Sequence, residues 1–296
     1  MPPEANAIPP RVAALQIAMC AVFGLGQIAA KTGLAGISPI YQAGLRSCGA
    51  VLILLLWVWL RRIPLRDGSH TVGHGLAIGL LFAGEFVALY LGLSQTGAAR
   101  ATILLYTAPF FVALGAHWFV PNDRLNRQKS IGLGLAFAGV LVAFQDRDTA
   151  NISTLTGDLL CVLAAMCWAA TTVYVKASPL RSVAPEKTLL YQLVVSAIVL
   201  MALSALLGES GVFASSPLVW LAFAYQTVMV ASVGYLTWFF LVARYRASAL
   251  SSYTFLSPVF GVLFAWWLLG EPISAVLFIS VALIAVGIAF VNRSDL

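Results

Sequence analysis

Residues 71–93 read TVGHGLAIGLLFAGEFVALYLGL, and Glu85 is their one acidic or basic side chain apart from His74. A helix of this length, at about 1.5 Å per residue, crosses a hydrocarbon core of about 30 Å. Glycine and alanine are interleaved with leucine, isoleucine and phenylalanine, with no polar face to meet water. The solvent for this stretch is therefore lipid. The rest of the chain agrees. Apolar residues make up 61% of its 296 positions and charged residues 9%, against roughly 45–50% and roughly 25% in soluble domains. With 17 basic and 11 acidic residues, a soluble particle of this size could not cover its surface. Intrinsic disorder, a nucleic-acid-binding domain and a secreted disulfide scaffold are excluded on the same ground.

Outward from residues 71–93, nine further apolar segments appear at 12–34, 40–60, 98–119, 129–145, 156–176, 186–207, 217–241, 248–269 and 274–291. Breakers mark the joints: Ser38-Pro39, Pro64, Pro121-Asn122-Asp123, Ser178-Pro179, Ser216-Pro217 and Glu271-Pro272. Every loop is short. The expectation is an all-α membrane protein of ten transmembrane helices. Placing the N-terminus and every second loop on one side puts thirteen of the seventeen basic residues there. Only Lys31, Arg46, Arg100 and Arg147 fall elsewhere. The positive-inside rule then makes both termini cytoplasmic. Met1 to Pro10 has no basic n-region and no small-residue cleavage pattern, so no removable signal peptide is expected.

The ten segments split into two sets of five that echo each other. Tyr41-Gln42 opens the second segment and Tyr191-Gln192 lies near the start of the seventh. Pro109 sits midway along the fourth and Pro258 midway along the ninth, and Trp118 and Trp267 follow at equal distance. Ala143-Phe144 and Ala289-Phe290 close the fifth and tenth. An odd number of helices per repeat forces the second copy to enter from the opposite side. The halves are then related by a pseudo-two-fold axis in the membrane plane, as in many secondary transporters. The expected organisation is an N-terminal tail at 1–11, a first repeat at 12–145, a connecting loop at 146–155, a second repeat at 156–291 and a tail at 292–296.

This pattern, with the run Ser257-Pro258 … Leu269-Gly270-Glu271-Pro272, resembles the drug/metabolite transporter superfamily, and within it the ten-helix EamA-type exporters. The first half departs from the family run, carrying Pro121-Asn122-Asp123 where it would recur. The resemblance implies a bacterial inner-membrane protein that exports small metabolites through a central cavity lined by helices 1, 3, 4, 6, 8 and 9. Among these exporters it looks closest to the aromatic amino acid exporters of Gram-negative bacteria. They carry a Glu near the centre of the third helix and a Tyr three residues before the fourth-helix proline, positions held here by Glu85 and Tyr106.

Glu85 is the one carboxylate deep in an apolar stretch. An ionised group there costs several kcal/mol, so it must face a polar cavity, find a partner or hold a proton. It could contact a substrate ammonium or couple transport to protons, or it could be a structural carboxyl. Tyr106, Trp168, Ser251, Tyr253 and Ser257 complete the candidate substrate-binding set, with Tyr235 and Trp238 as weaker members. Pro109 and Pro258 each remove a backbone donor and are expected to kink their helices as gates. Lys31, Arg46 and Arg100 are read as side chains near the outer interface, Arg46 able to snorkel outward, with an ion pair between one of them and Glu85 as the alternative. The small residues Gly132, Ala136 and Gly139 form a packing stripe.

Enzyme motifs fail. Gly24-Leu25-Gly26-Gln27-Ile28-Ala29 matches a loose dinucleotide pattern, but it lies in a membrane span with no preceding strand. Gly208-Glu209-Ser210-Gly211 resembles an intramembrane serine protease motif. His70, His74 and His117 all precede it, where that protease order needs a histidine after it. Cys20, Cys48, Cys161 and Cys167 lie in apolar stretches without metal-ligand spacing. The expected function is efflux of amino-acid-like small molecules by alternating access, without cofactor or metal. Protons are a candidate coupling ion, and the oligomeric state is open. The alternatives are a broad-specificity drug or metabolite exporter, an intramembrane enzyme and a passive channel.

Overall fold

The computed structural model describes residues 9–65, 71–120, 126–144, 154–242 and 256–293. They form an all-helical bundle. In chain order its spans are α1 (Pro10–Gly33), α2 (Pro39–Arg61), α3 (Val72–Gln95), α4 in two pieces (Ala98–Leu105 and Ala108–Phe119), α5 (Arg127–Phe144), α6 (Leu155–Ala177) and α7 (Pro185–Leu206). The eighth, α8, runs through three continuous pieces: Pro217–Tyr225, the π-helical Gln226–Gly234, and Tyr235–Val242. α9 (Leu256–Leu269) and α10 (Ala275–Arg293) complete the ten. Seven of these, α1 to α4 and α6 to α8, are long and apolar enough to cross a membrane, and the remaining three contain shorter apolar helices. The expected segments coincide with these spans to within a few residues, except that 248–255 of the ninth lie outside the described residues.

The packing carries the internal symmetry. α2 lies against α7, α4 against α9, and α5 against α10. Each of these pairs maps onto itself when the first five helices are exchanged for the last five. The remaining main pairs map onto one another: α1 with α9 onto α6 with α4, α3 with α6 onto α8 with α1, and α3 with α7 onto α8 with α2. The two tyrosines of the sequence echo take matching roles. The Tyr41 ring lies against Gly211 in the α7–α8 connection, and the Tyr191 ring against Gly75 at the start of α3. Trp118 and Trp267 are exposed on the outer surface, 67% and 71%, where lipid would meet them.

Glycines set how closely the helices approach. A Cβ on Gly24 of α1 would stand 2.8 Å from the Gly261 nitrogen of α9 and 3.0 Å from the Ser257 carbonyl. The dinucleotide-like run in α1 is therefore a packing face. On α5, Gly139 sits against Ser280 and Ile284 of α10, and the Ser280 hydroxyl donates to the Gly139 carbonyl at 2.8 Å.

Most helix starts follow local chemistry. Proline occupies the first turn of α1, α2, α7 and α8, where its missing donor is not needed. Thr154 and Ser216 cap α6 and α8 by accepting the N–H groups of Gly157 and Val219. α2 and α4 have no cap from their own side chains. Glu209, from the α7–α8 connection, accepts the Ile40 and Tyr41 N–H groups at 3.0 and 2.7 Å. Glu271, from the α9–α10 connection, accepts those of Ala98 and Ala99 at 2.7 and 2.9 Å. Each carboxylate meets the positive end of a helix in the other half of the chain.

These bonds gather five connections at the end of the bundle away from both termini. Ser38 N–H donates to the Gly211 carbonyl at 2.8 Å, and Ile37 and Val212 form an antiparallel bridge. Thr154 N–H donates to the Gln95 carbonyl at 2.9 Å, and Lys31 Nζ donates to the carbonyls of Leu93 and Thr96 at 2.6 and 2.7 Å. Lys31 thus completes the C-terminus of α3 rather than snorkelling. Arg100 does not snorkel either. Its Nε and Nη2 reach Asp158 of α6 at 2.8 and 2.6 Å, both side chains buried, and Thr96 donates to the other carboxylate oxygen at 2.9 Å.

Candidate functional site

α4 breaks where the sequence placed a kink, but earlier and more completely. The first piece ends at Leu105, Tyr106 and Thr107 make the turn, and Pro109 lies in the first turn of the second piece. Pro109 has no N–H for the carbonyl four residues back. Thr107 relieves the broken ladder by donating to the Leu104 carbonyl from both its N–H, at 3.2 Å, and its hydroxyl, at 2.6 Å. Tyr106 therefore projects from the turn into the bundle. Its ring meets that of Trp168 on α6 edge to face, centroids 5.6 Å apart. Thr171 and Thr172, one turn on, bond back to the carbonyls of Cys167 and Trp168. Ser257 of α9 is buried, with its hydroxyl beside Tyr106 and Cys20. Pro258 is buried next to it.

Glu85 is buried in the middle of α3. Three helices bring groups to it: Arg46 from α2, Cys167 from α6 and Tyr235 from α8. The aromatic residues of α3 surround this point. Phe82 and Phe86 stack edge to face at 4.7 Å, Phe86 faces Tyr90 at 6.1 Å, and Tyr235 packs on Phe82 at 6.2 Å and on Phe23 of α1 at 5.9 Å. Tyr90 donates its hydroxyl to the Gln226 side chain at the start of the π-helical piece. Tyr235 joins the two groups of candidates, because it faces Tyr106 on one side and Glu85 on the other.

Glu85, Tyr106, Trp168 and Ser257 thus converge, on α3, α4, α6 and α9, while α1 and α8 add Phe23 and Tyr235. Ser251 and Tyr253 lie outside the described residues. Arg46 departs from its expected place. It does not reach outward; it is 3% exposed and its guanidinium lies 3.8 Å over the Phe86 ring. Its position within α2 was compatible with either course, because an arginine side chain is long enough to turn to the interface or to the bundle axis. Gln226 was not singled out from the sequence, and its signal there was only that of one amide in an apolar run.

The arrangement offers a carboxylate, a guanidinium, hydroxyl and amide groups, and a wall of aromatic rings. It suits reversible binding of a small amphipathic solute. Among the described residues no group of three or more His, Cys, Asp or Glu side chains is placed to hold a metal.

Comparison with known proteins gives the same picture. The chain is 29% identical over 285 residues to a probable amino-acid metabolite efflux pump of Salmonella typhimurium strain LT2, covering 93% of this chain and 92% of that one. It is 28% identical over 283 residues to a probable amino-acid metabolite efflux pump of Escherichia coli strain K12, with the same coverage. An uncharacterized transporter of Bacillus subtilis strain 168 is 30% identical over 291 residues, 96% of this chain and 92% of its own. A crystal structure with 19% sequence identity superposes with a TM-score of 0.70 over 97% of this chain and 99% of its own, which establishes the likeness of fold. The EamA-like transporter family matches twice, at residues 11–145 and 155–293. Two matches of that length, on halves that pack as exchanged copies of each other, leave one assignment: this chain is a multi-pass membrane transporter and belongs to the EamA-like transporter family.

Proposed function

We propose that this transporter exports small amino-acid-like metabolites across the bacterial inner membrane by alternating access, with Glu85, Tyr106, Trp168 and Ser257 in contact with the solute. The observation that carries this reading is their convergence around Tyr235 within an otherwise apolar bundle. A ring or branched side chain of the solute lies among Phe82, Phe86, Tyr106 and Trp168, and its polar end meets Glu85 and the Ser257 hydroxyl. Ser251 and Tyr253 would extend this lining along the ninth helix. The printed names of the Salmonella and Escherichia relatives support an amino-acid-like cargo.

The repeats, taken as 12–145 and 156–291, act as two bundles of opposite orientation. Exchange of their conformations turns an opening on one side into an opening on the other. The breaks at Pro109 and Pro258 would be the flexible points. In this conformation Glu209 and Glu271 pin the end away from the termini. The distribution of basic residues puts that end outside the cell and both termini in the cytoplasm. Export of the solute would then require these pins to release.

Purified protein in proteoliposomes, assayed with a panel of radiolabelled amino acids with and without a pH gradient, tests the reading. Saturable transport of apolar or aromatic amino acids is the expected result, and acceleration by the gradient identifies the proton as coupling ion. Transport of unrelated hydrophobic drugs with no amino acid carried would replace this reading with broad-specificity efflux.

A further inference from the structure

Among the described residues two arginines are buried, and the contrast between them is informative. Arg100 presents its Nε and Nη2 edge to Asp158, which accepts from both at 2.8 and 2.6 Å. Arg46 is buried too, 3% exposed; Tyr235 bonds to its side chain, yet its Nε and Nη2 have no hydrogen-bond partner among the described residues. The edge that meets a carboxylate in one arginine meets no acceptor among the described residues in the other. A guanidinium remains charged under all ordinary conditions, and this edge matches a carboxylate in shape and spacing. Burying such donors without acceptors is unfavourable, and a protein could have avoided it by closing Glu85 onto them. Glu85 faces Arg46 electrostatically, but makes no direct ion pair with it among the described residues. Phe86 covers one guanidinium face at 3.8 Å and Tyr235 approaches from α8, so the group is held in place rather than free to swing outward.

We propose that Arg46 is the carboxylate anchor of the transport site. Its Nε and Nη2 donors grip the carboxylate of an α-amino acid, and the ammonium of the same molecule meets Glu85. Both charges of such a zwitterion hang on one carbon, so a cation from α2 and an anion from α3 that act on each other electrostatically fit it. Neither an amine without a carboxylate nor an ester would fill the Arg46 edge. The side chain then falls among Phe82, Tyr106 and Trp168, which accounts for an aromatic wall beside a charged pair. This anchor rests on the export reading above and narrows it to solutes with a free α-carboxylate.

The test uses the full chain in proteoliposomes and counterflow of three probes: L-phenylalanine, its methyl ester and 2-phenylethylamine. All three carry the ring and the ammonium, and only the first carries a carboxylate. The parent protein is expected to carry L-phenylalanine at least about tenfold better than the other two, because a site built to bond a group rejects analogues that lack it. Arg46→Lys keeps the charge and loses the fork, so the half-saturating concentration of L-phenylalanine should rise about tenfold and its advantage over 2-phenylethylamine should shrink. Arg46→Gln should abolish the preference for acid over ester. The probe comparison on the parent needs no variant to fold. Equal transport of acid and ester by the parent, or an Arg46→Lys protein with unchanged half-saturation, would remove the anchor and leave amino-acid export standing. Transport of none of the three probes alongside saturable transport of a solute that is not an amino acid would overturn the export reading, and the anchor with it.

Discussion

Glu271 and Ala98 join the two halves of the chain: the Glu271 carboxylate accepts the Ala98 N–H at 2.7 Å, and its second oxygen takes the Ala99 N–H at 2.9 Å. The anion thereby sits on the positive end of α4, the helix that carries Tyr106. Glu209 does the same for α2, the helix that carries Arg46. A carboxylate accepting two backbone donors is a strong attachment, but it is made of few bonds and reforms easily. These properties suit a latch that must open in every cycle.

Glu271→Gln should loosen that latch. The amide loses the charge and one of the two accepting oxygens, and hydrogen bonds to charged groups contribute about 1.5–3 kcal/mol. Cysteines placed at Ala35 and Ala214, two exposed positions on connections that face each other, would report it in a cysteine-free background. Crosslinking should fall severalfold in Glu271→Gln and in Glu209→Gln relative to the parent. Equal crosslinking in all three would show that the two carboxylates only terminate helices.

Glu85→Gln should lower transport about tenfold while membrane-inserted yield stays within about twofold, because the amide keeps the volume and loses the charge. Glu85→Ala should lower both, since it also removes buried side-chain volume from α3. Transport by Glu85→Gln at the parental rate would make the carboxyl structural.

Pro109→Ala should restore a donor for the Leu105 carbonyl and remove the ring clash, so the two pieces of α4 can fuse. Fusion would carry Tyr106 away from Trp168. Folded yield should be normal and turnover slower, with a loss of the edge-to-face contact visible as a change in tryptophan fluorescence. Unchanged fluorescence and turnover would mean that Thr107 alone maintains the break.

The Arg100–Asp158 pair should behave differently from Arg46. Arg100→Met leaves a buried carboxylate without its partner, and such losses run at about 3–5 kcal/mol. The double variant Arg100→Met, Asp158→Leu should regain most of that stability, measured by unfolding in detergent. A double variant no more stable than Arg100→Met would contradict a purely structural pair.

Much of this architecture is legible in local sequence because membrane insertion is a local decision. Twenty apolar residues must be helical wherever they fall, and Pro39, Pro185 and Pro217 begin helices by their own covalent geometry. The convergence of Glu85, Tyr106, Trp168 and Ser257 could be anticipated from residue type and the echo between halves. The roles of Glu209 and Glu271 could not. Each acts on backbone groups about 170 positions away, and nothing beside them in the chain announces those partners. Arg46 and Lys31 have the same difficulty: a long cation can reach lipid headgroups or a bundle interior, and only the fold decides. The π-helical piece of α8 has no sequence signature either, since Gln226–Gly234 lacks both proline and an obvious breaker.

That piece of α8 has a geometric consequence of its own. A π turn holds one residue more per hydrogen-bonded ring than an α turn. The Ser232 hydroxyl, which donates to the Thr227 carbonyl five residues back at 2.8 Å, follows the wider spacing. Each residue in an α-helix advances the azimuth by about 100° and the axis by about 1.5 Å. If the surplus residue migrated along the helix past Tyr235, that side chain would swivel by about 100° without any bond breaking outside α8. A ring that bridges Glu85 and Tyr106 would then point elsewhere. The wide turn works as a reserve of rotation, stored beside a residue that acts electrostatically on both clusters of the site.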